Sequence, residues 1–254
     1  MSLLLPVGAG FVIGFLIGLT GMGGGALMTP FLLIVMKLDP VAAVGTDLVF
    51  AALTKIAGSA QHYRHGNVSF KQVLWMACGS LPASYVGAQI ILHLNPQITQ
   101  KIMPPVLGGI LVLVGLIMMA RALNVLHPRS IEDESWPNPI ALIAVGSAGG
   151  LLVGMSSIGG GTVIMAMMIV FFTIPVNYLV GLDVVHGAVL ATVAALTYAL
   201  AGRTNWPLVS WLLIGSIPGV WLGVLSIKHI DKRIVRGVLS LLVIGAGINL
   251  LIGR

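Results

Sequence analysis

The stretch that decides the fold of this chain is GLTGMGGG, residues 18–25, because its glycine triplet interrupts a run of apolar residues. A second stretch of the same pattern, GMSSIGGG, follows 136 positions later at residues 154–161. Glycine weakens a helix by about 1 kcal/mol relative to alanine, so each triplet predicts a break in a helix. The chain is therefore expected to contain the same kind of break twice.

The repeat extends beyond the two triplets. At the same offset, Asp47 corresponds to Asp183, and the motif GSLP at residues 79–82 corresponds to GSIP at residues 215–218. Chance matching is the alternative in a chain with 33 glycines, but it would not preserve both the order and the offset of these blocks. The sequence therefore predicts two homologous halves.

Composition places the chain in a membrane. Hydrophobic residues make up 57% of it and charged residues only 8%, with a mean hydropathy of +1.06, which leaves too little polar surface for a soluble globule. Uncharged stretches at residues 73–92, 102–120 and 209–227 are each about long enough to cross a bilayer. The net charge of +6 comes from residues in short loops, so we expect no nucleic-acid partner.

We predict an all-α polytopic membrane protein with eight to ten transmembrane segments, arranged as two repeats of about five helical segments each. The second and seventh segments are short, which favours broken or re-entrant helices at the glycine triplets. The ten predicted segments are residues 3–19, 26–36, 41–60, 72–92, 102–121, 138–155, 160–173, 176–200, 207–227 and 234–252.

The domain organisation follows from the repeat: residues 1–123 form the first half, residues 124–139 a linker loop, and residues 140–254 the second half. Each half makes an odd number of net crossings whether or not its glycine hairpin spans the bilayer. The halves are therefore predicted to have opposite orientations, which is the inverted repeat common in secondary transporters.

The distribution of basic residues predicts the orientation of the chain. Eight lie on one side and four on the other, which places the larger set in the cytoplasm and both termini outside. The larger set is Arg64, Lys71, Arg121, Arg129, Lys228, Lys232, Arg233 and Arg236, and the smaller set is Lys37, Lys101, Arg203 and Arg254.

The glycine breaks are the first candidate site. A break can direct free backbone N–H groups and the positive end of a helix into a protected space, where they bind anions. The alternative is that the glycines only let helices pack closely. Hydroxyls beside the breaks, including Thr29, could donate further hydrogen bonds. The candidate substrate-binding residues here are Thr20, Gly23, Gly24, Gly25, Ser156, Ser157, Gly159, Gly160, Gly161 and Thr162.

Charged residues inside the predicted segments form the second candidate site. Ionisable groups at membrane depth are costly and tend to be functional, so Asp47, Asp183 and His186 are candidates for ion coupling. His186 lies three residues after Asp183, on the same helical face, where the two could pair and share a proton. Both aspartates could instead pair structurally near the interface. Lys55 could contact substrate or extend towards the loop at Gln61.

Three motifs resemble the sulfite exporter TauE/SafE family of membrane permeases. They are the glycine break, the pattern Pro-x-x-Ala-x-Gly-Thr at residues 40–46, and YRHGNV at residues 63–68 followed by GSLP. The resemblance covers nearly the whole chain. The second half has Leu182 where the first has Thr46, which argues against a symmetric two-site mechanism.

The resemblance implies transport of small sulfur-containing anions such as sulfite, sulfonate or organosulfonates, usually export, across the prokaryotic cytoplasmic (inner) membrane. It makes the glycine triplets the anion cradle and Thr46 a lining hydroxyl. A proton or sodium ion is the expected coupling partner and lipid the surroundings, and the sequence leaves a homodimer open. The alternatives are a passive anion channel, a permease for another small anion, and a structural protein.

An enzyme is not expected. No group of Cys and His residues has the spacing of a zinc site, and no phosphate-binding loop of the ATPase type is present in the sequence. We therefore expect no catalytic residues, no metal and no cofactor.

Overall fold

The computed structural model describes residues 4–20, 25–63, 70–123, 138–158, 163–171, 176–226 and 232–253, and these residues form helices and short connections without strands. The predicted all-α fold is confirmed. In the first half the helices are α1 (Leu4–Thr20), α2 (Gly25–Pro30), α3 (Pro40–Tyr63), α4 (Phe70–His93) and α5 (Pro96–Ala122). In the second half they are α6 (Pro139–Ser156), α7 (Val163–Phe171), α8 (Val176–Leu200), α9 (Trp206–Ser226) and α10 (Lys232–Ile252).

The short second and seventh segments are confirmed as short helices. A π-helical turn, Phe31–Val35, continues α2 directly, and its end is marked by Lys37 at a φ of 52°. The fifth helix begins at Pro96, earlier than the predicted residue 102, and it contains both Pro104 and Pro105. Neighbouring helices can compensate for the hydrogen bonds that proline removes from a membrane helix, so these prolines do not end α5.

Proline and side-chain caps start several helices. The side chain of Asn138 accepts a hydrogen bond from the N–H of Ile140, and Pro139 occupies the first turn of α6. At the start of α3, a carboxylate oxygen of Asp39 accepts from the N–H of Val41 at 3.1 Å. These contacts satisfy N–H groups that have no partner within their own helix.

Three described helices contain a range long and apolar enough to cross a membrane, namely Pro96–Ala120, Pro139–Ser156 and Trp206–Gly223. Shorter apolar helical ranges lie at Leu4–Leu19, Ala26–Val35, Val185–Leu200 and Gly237–Ile252. Large apolar side chains also lie on the outside of the bundle, as expected for a surface in contact with lipid.

The two halves are interleaved in the bundle. Helix α1 packs along α9, and α6, the counterpart of α1 in the second half, packs along α4, the counterpart of α9. Two further pairs join counterparts directly, α3 with α8 and α5 with α10. Exchanging the two halves therefore leaves this set of packing contacts unchanged.

Glycines bring the α1–α9 and α4–α6 backbones close together, and they do so at equivalent positions. In each case a Cβ added to the glycine would overlap a backbone carbonyl oxygen of the facing helix. The pairs between α1 and α9 are Gly10–Leu212, Gly14–Ser216, Gly215–Val7 and Gly223–Phe15; those between α4 and α6 are Gly146–Met76, Gly150–Ser80, Gly79–Ile143 and Gly87–Leu151. Each pair in one interface matches a pair in the other at the offset of 136. The same packing interface is thus used twice, while the opposite orientation of the halves across the bilayer stays a prediction.

Candidate functional site

Polar side chains are buried where α3 and α8 meet in the middle of the bundle. Burial of such groups away from water is unfavourable unless other groups or a ligand satisfy them. We refer to seven of them as the polar cluster: Thr29, Asp47, Lys55, Ser80, Ser157, Asp183 and His186. All except Lys55, which is half-buried, are buried.

Asp47 joins three parts of the chain. The hydroxyl of Thr29, on α2, donates a hydrogen bond to Oδ2 of Asp47, on α3. Ser157, which follows α6 in the second half, faces the same carboxylate. The other oxygen, Oδ1, has no hydrogen-bond partner among the residues that the structure describes. The carboxylate therefore lies between the halves with one oxygen available.

The second helix break begins at Ser157. This residue ends α6 in the left-handed conformation, with a φ of 59°, and its N–H donates to the carbonyl of Val153 at 2.8 Å. The hydroxyl of Ser156 donates to the carbonyl of Leu152 at 2.6 Å and accepts from the N–H of Ile158. Ser156 thus stabilises the helix end, which leaves Ser157 as the candidate for contact with Asp47.

Ser157 provides a test that separates stability from function. We expect Ser157→Gly to stabilise the fold or leave it unchanged, because glycine adopts positive φ without the steric cost of about 1 kcal/mol that other residues incur. The same variant removes the hydroxyl beside Asp47, so transport should fall. Thermal unfolding and flux are both measured on the same preparation. Ser156→Gly, which removes the neighbouring hydroxyl instead, is the control. A fall in stability would contradict the strain argument.

Lys55 extends towards α8 in the opposite half of the molecule. Its ammonium lies against the buried Gly187, at a distance that a Cβ on that residue would not allow. It is also close enough to Asp47 and His186 for electrostatic interaction. Among the described residues, no hydrogen bond or ion pair is seen at Lys55. Of the two expectations for Lys55, the geometry favours a contact inside the bundle.

His186 contacts a residue that the sequence reasoning missed. Its Nε2 lies 2.7 Å from the hydroxyl of Ser80, on α4, while Nδ1 has no hydrogen-bond partner within the described part of the chain. Asp183 is buried one turn earlier on α8, but the hydrogen bond of the ring is made with Ser80. Ser80 lies inside the repeated GSLP motif, and that repetition was a signal that could have identified it.

Thr46 lies near the polar cluster but its hydroxyl is used elsewhere. It accepts a hydrogen bond of 3.0 Å from the N–H of Asn205, the residue whose side chain caps α9 by accepting from the N–H of Leu208. The structure therefore places this candidate lining hydroxyl at the junction of α3 with the start of α9.

Several candidate residues lie at helix ends or outside the described residues. Thr20 is the last residue of α1 and Gly25 the first residue of α2. The remaining residues of the predicted anion cradle lie outside the described residues: Gly23, Gly24, Gly159, Gly160, Gly161 and Thr162.

The polar cluster is less symmetric than the helix packing around it. Asp47 and Asp183 correspond to each other at the offset of 136, and so do Ser80 and Ser216. Three other members have apolar counterparts: Phe50 for His186, Ala191 for Lys55 and Met165 for Thr29. The second half thus carries an imidazole that contacts the repeated serine of the first half, whereas the first half carries a buried phenyl ring at the equivalent position.

Comparison with known proteins agrees with this architecture. The sequence model of the family described as Sulfite exporter TauE/SafE matches residues 6–250. This chain belongs to the TauE/SafE family. The TauE/SafE assignment covers both halves and both helix breaks, so the paired packing interfaces and the polar cluster all lie within the matched region.

Curated relatives of this TauE/SafE chain carry transporter names. "Probable membrane transporter protein YjnA" of Bacillus subtilis is 36% identical over 248 residues, covering 95% of this chain and 97% of its own length. A "Probable membrane transporter protein" of Xylella fastidiosa is 26% identical, covering 97% of this chain and 94% of its own length. No solved structure matches the chain. Membership of the family identifies this protein as a membrane transporter.

Proposed function

We propose that this transporter moves small sulfur-containing anions, such as sulfite or an organosulfonate, and that export is its direction. The observation that carries the proposal is the Lys55 ammonium, which lies inside the bundle beside His186 with no carboxylate of the described residues bound to it. A cation placed this way attracts an anionic solute. The sulfur chemistry comes from the description of the family, Sulfite exporter TauE/SafE.

Alternating access is the mechanism that we propose. The α3–α8 contact joins the two halves, and the polar cluster lies along it. Relative movement of the halves around this contact would expose the cluster first to one side of the membrane and then to the other. The cluster would bind the anion in both states.

The membrane potential favours export. Moving one negative charge outward across an inside-negative membrane gains roughly 2.3 kcal/mol per 100 mV. A coupled ion would add to this, with Asp47, Asp183 and His186 as the residues that would carry a proton or bind sodium. As part of this proposal, the transporter lies in the inner membrane of a prokaryote with both termini outside.

The proposal is tested in liposomes that contain the purified protein. We expect external sulfite to accelerate the release of trapped sulfite, because an alternating-access carrier exchanges substrate faster than it returns empty. The initial rate should also saturate with concentration. Taurine, thiosulfate, sulfate, nitrate and chloride are assayed in parallel, with and without proton or sodium gradients.

The controls distinguish the alternatives. Flux that rises linearly with concentration and shows no exchange would identify a passive anion channel. Saturable flux of nitrate or chloride without any sulfur-containing anion would identify a permease for another small anion. Protein-free liposomes give the background, and absence of all flux would overturn the proposal.

A further inference from the structure

We propose that Lys55, His186 and Ser80 form an oxyanion-binding subsite, for which Gly187 provides the space, and that the protein has one such subsite. The inference rests on the proposed function and specifies which residues bind the anion. It differs from an anion cradle made by the glycine triplets, because its donors are the side chains of Lys55 on α3 and His186 on α8, with Ser80 on α4 holding the imidazole.

Gly187 leaves space for the end of the Lys55 side chain. The three atoms nearest to a Cβ added at this glycine all belong to the Lys55 side chain, starting with the ammonium nitrogen. At the helix-crossing glycines, in contrast, the nearest atom is a backbone carbonyl oxygen of the facing helix. The missing side chain at residue 187 thus makes room for a cationic group rather than for a helix.

Lys55 and His186 carry the N–H groups that could bind an anion. An ammonium carries three N–H groups, and none of those on Lys55 is seen to bind a described residue. When the Ser80 hydroxyl donates to Nε2 of His186, the proton of the neutral ring is on Nδ1. That Nδ1–H is buried and has no partner among the described residues. The half-buried ammonium and the buried imidazole therefore offer donors in the same part of the bundle.

Asp47 lies at the other end of the polar cluster from His186. Asp47 already accepts from Thr29, and its carboxylate would repel an anion. Asp183, one turn before His186, would repel it as well, so the anion is expected at the nitrogen donors of Lys55 and His186 and away from both carboxylates. Asp47 would remain as the acidic group whose charge is balanced by Lys55 when no anion is bound.

The repeat contains a second position equivalent to this subsite, but it lacks the nitrogen donors. At the equivalent position in the other half, Ser216 is buried and its hydroxyl has no hydrogen-bond partner within the described ranges. Phe50 stands where His186 would be, and Ala191 stands where Lys55 would be. The second copy has kept the serine without the two nitrogen donors, so it cannot bind an oxyanion in the same way.

These donors suit a small oxyanion with several oxygens, such as sulfite or a sulfonate. Three ammonium protons and one imidazole N–H can bind different oxygens of one pyramidal or tetrahedral group. A halide is a single acceptor atom, so it cannot place a separate oxygen opposite each of these donors. Oxyanions are therefore expected to bind more tightly than chloride.

Gly187→Ala tests the subsite without disrupting a helix crossing. The added methyl group meets first the flexible end of Lys55, and alanine favours helix over glycine, so thermal stability should be unchanged or higher. We expect the affinity for sulfite to fall by roughly tenfold, because the ammonium is displaced. Gly109→Ala, at a helical glycine whose added Cβ would meet no described residue of another helix within 4 Å, should leave the affinity unchanged.

A double-mutant cycle connects this effect to Lys55. Lys55→Met should weaken sulfite binding at least as much as Gly187→Ala does, and adding Gly187→Ala to Lys55→Met should then change nothing further. Binding is measured by calorimetry on protein in nanodiscs. Wild-type affinity in Gly187→Ala, or independent effects of the two substitutions, would overturn the proposal.

The serines give a matched pair. Ser80→Ala should weaken sulfite binding several-fold, because Nε2 loses the hydroxyl that fixes the ring, whereas Ser216→Ala at the equivalent position should not. Equal effects of the two variants would contradict a single subsite. If the wild type binds none of the sulfur-containing anions, the proposed substrate fails, and the same variants are measured with nitrate and phosphate. Absence of binding for every oxyanion would overturn the subsite as well.

Discussion

Asp47→Asn is expected to abolish the dependence of transport on an ion gradient while the protein stays folded. Asparagine has nearly the same shape, and its side-chain oxygen can still accept the hydrogen bond from Thr29. The variant cannot take up a proton or offer a negative charge to a cation. Accumulation of sulfite under an imposed gradient should therefore fall to the level that is reached without a gradient.

Exchange of anion for anion should continue in Asp47→Asn, because exchange needs no net movement of a coupled ion. The measurement compares sulfite accumulation under an imposed proton or sodium gradient with sulfite–sulfite exchange in the same liposomes. Asp183→Asn is measured in parallel, since it changes the equivalent residue of the other half and shows whether that residue shares the coupling role. Unchanged accumulation in Asp47→Asn would remove this residue from the coupling role.

The second large effect is expected at a helix crossing. Gly215→Val should prevent normal assembly, because a Cβ at residue 215 would overlap the backbone carbonyl oxygen of Val7 on α1. A carbonyl oxygen cannot rotate away as the end of a side chain can, so the two helices would have to move apart. We expect a loss of about 3 kcal/mol in stability, and a corresponding fall in the yield of folded protein.

Two further variants make this a test of the repeated interface. Gly79→Val should be as damaging as Gly215→Val, because Gly79 meets the carbonyl oxygen of Ile143 at the equivalent position. Gly109→Val should be tolerated, since among the described residues no atom apart from the backbone of its own helix lies within 4 Å of the added Cβ. Size-exclusion profiles and thermal unfolding in detergent provide the measurement. A damaging effect at only one of Gly79 and Gly215 would contradict equivalent packing.

The helices could be predicted from the sequence because long uncharged stretches and prolines mark their positions. The start of α5 could not, because Lys101 ends the uncharged stretch of residues 102–120, whereas the helix begins at Pro96 and includes this lysine. A long charged side chain can lie in the first turns of a membrane helix and reach the interface, so an uncharged stretch gives only a minimum length for the helix.

The site was predicted in part. Burial of Asp47, Asp183 and His186 agrees with the expectation for ionisable residues within a predicted segment. Their partners were not predictable, because the Ser80–His186 contact joins residues 106 positions apart and the position of the Lys55 ammonium depends on Gly187. Pairs of this kind depend on how helices from different halves pack, which periodicity along one helix does not encode.

The interleaved packing of the halves has a consequence for biogenesis. Helix α1 is synthesised long before its main packing partner, α9, which begins only at Trp206. During translation α1 must therefore remain in the bilayer with its glycine-lined face against lipid or the insertion machinery. If the two halves were produced as separate polypeptides, each would lack these partners, and co-expression should be required to recover either one.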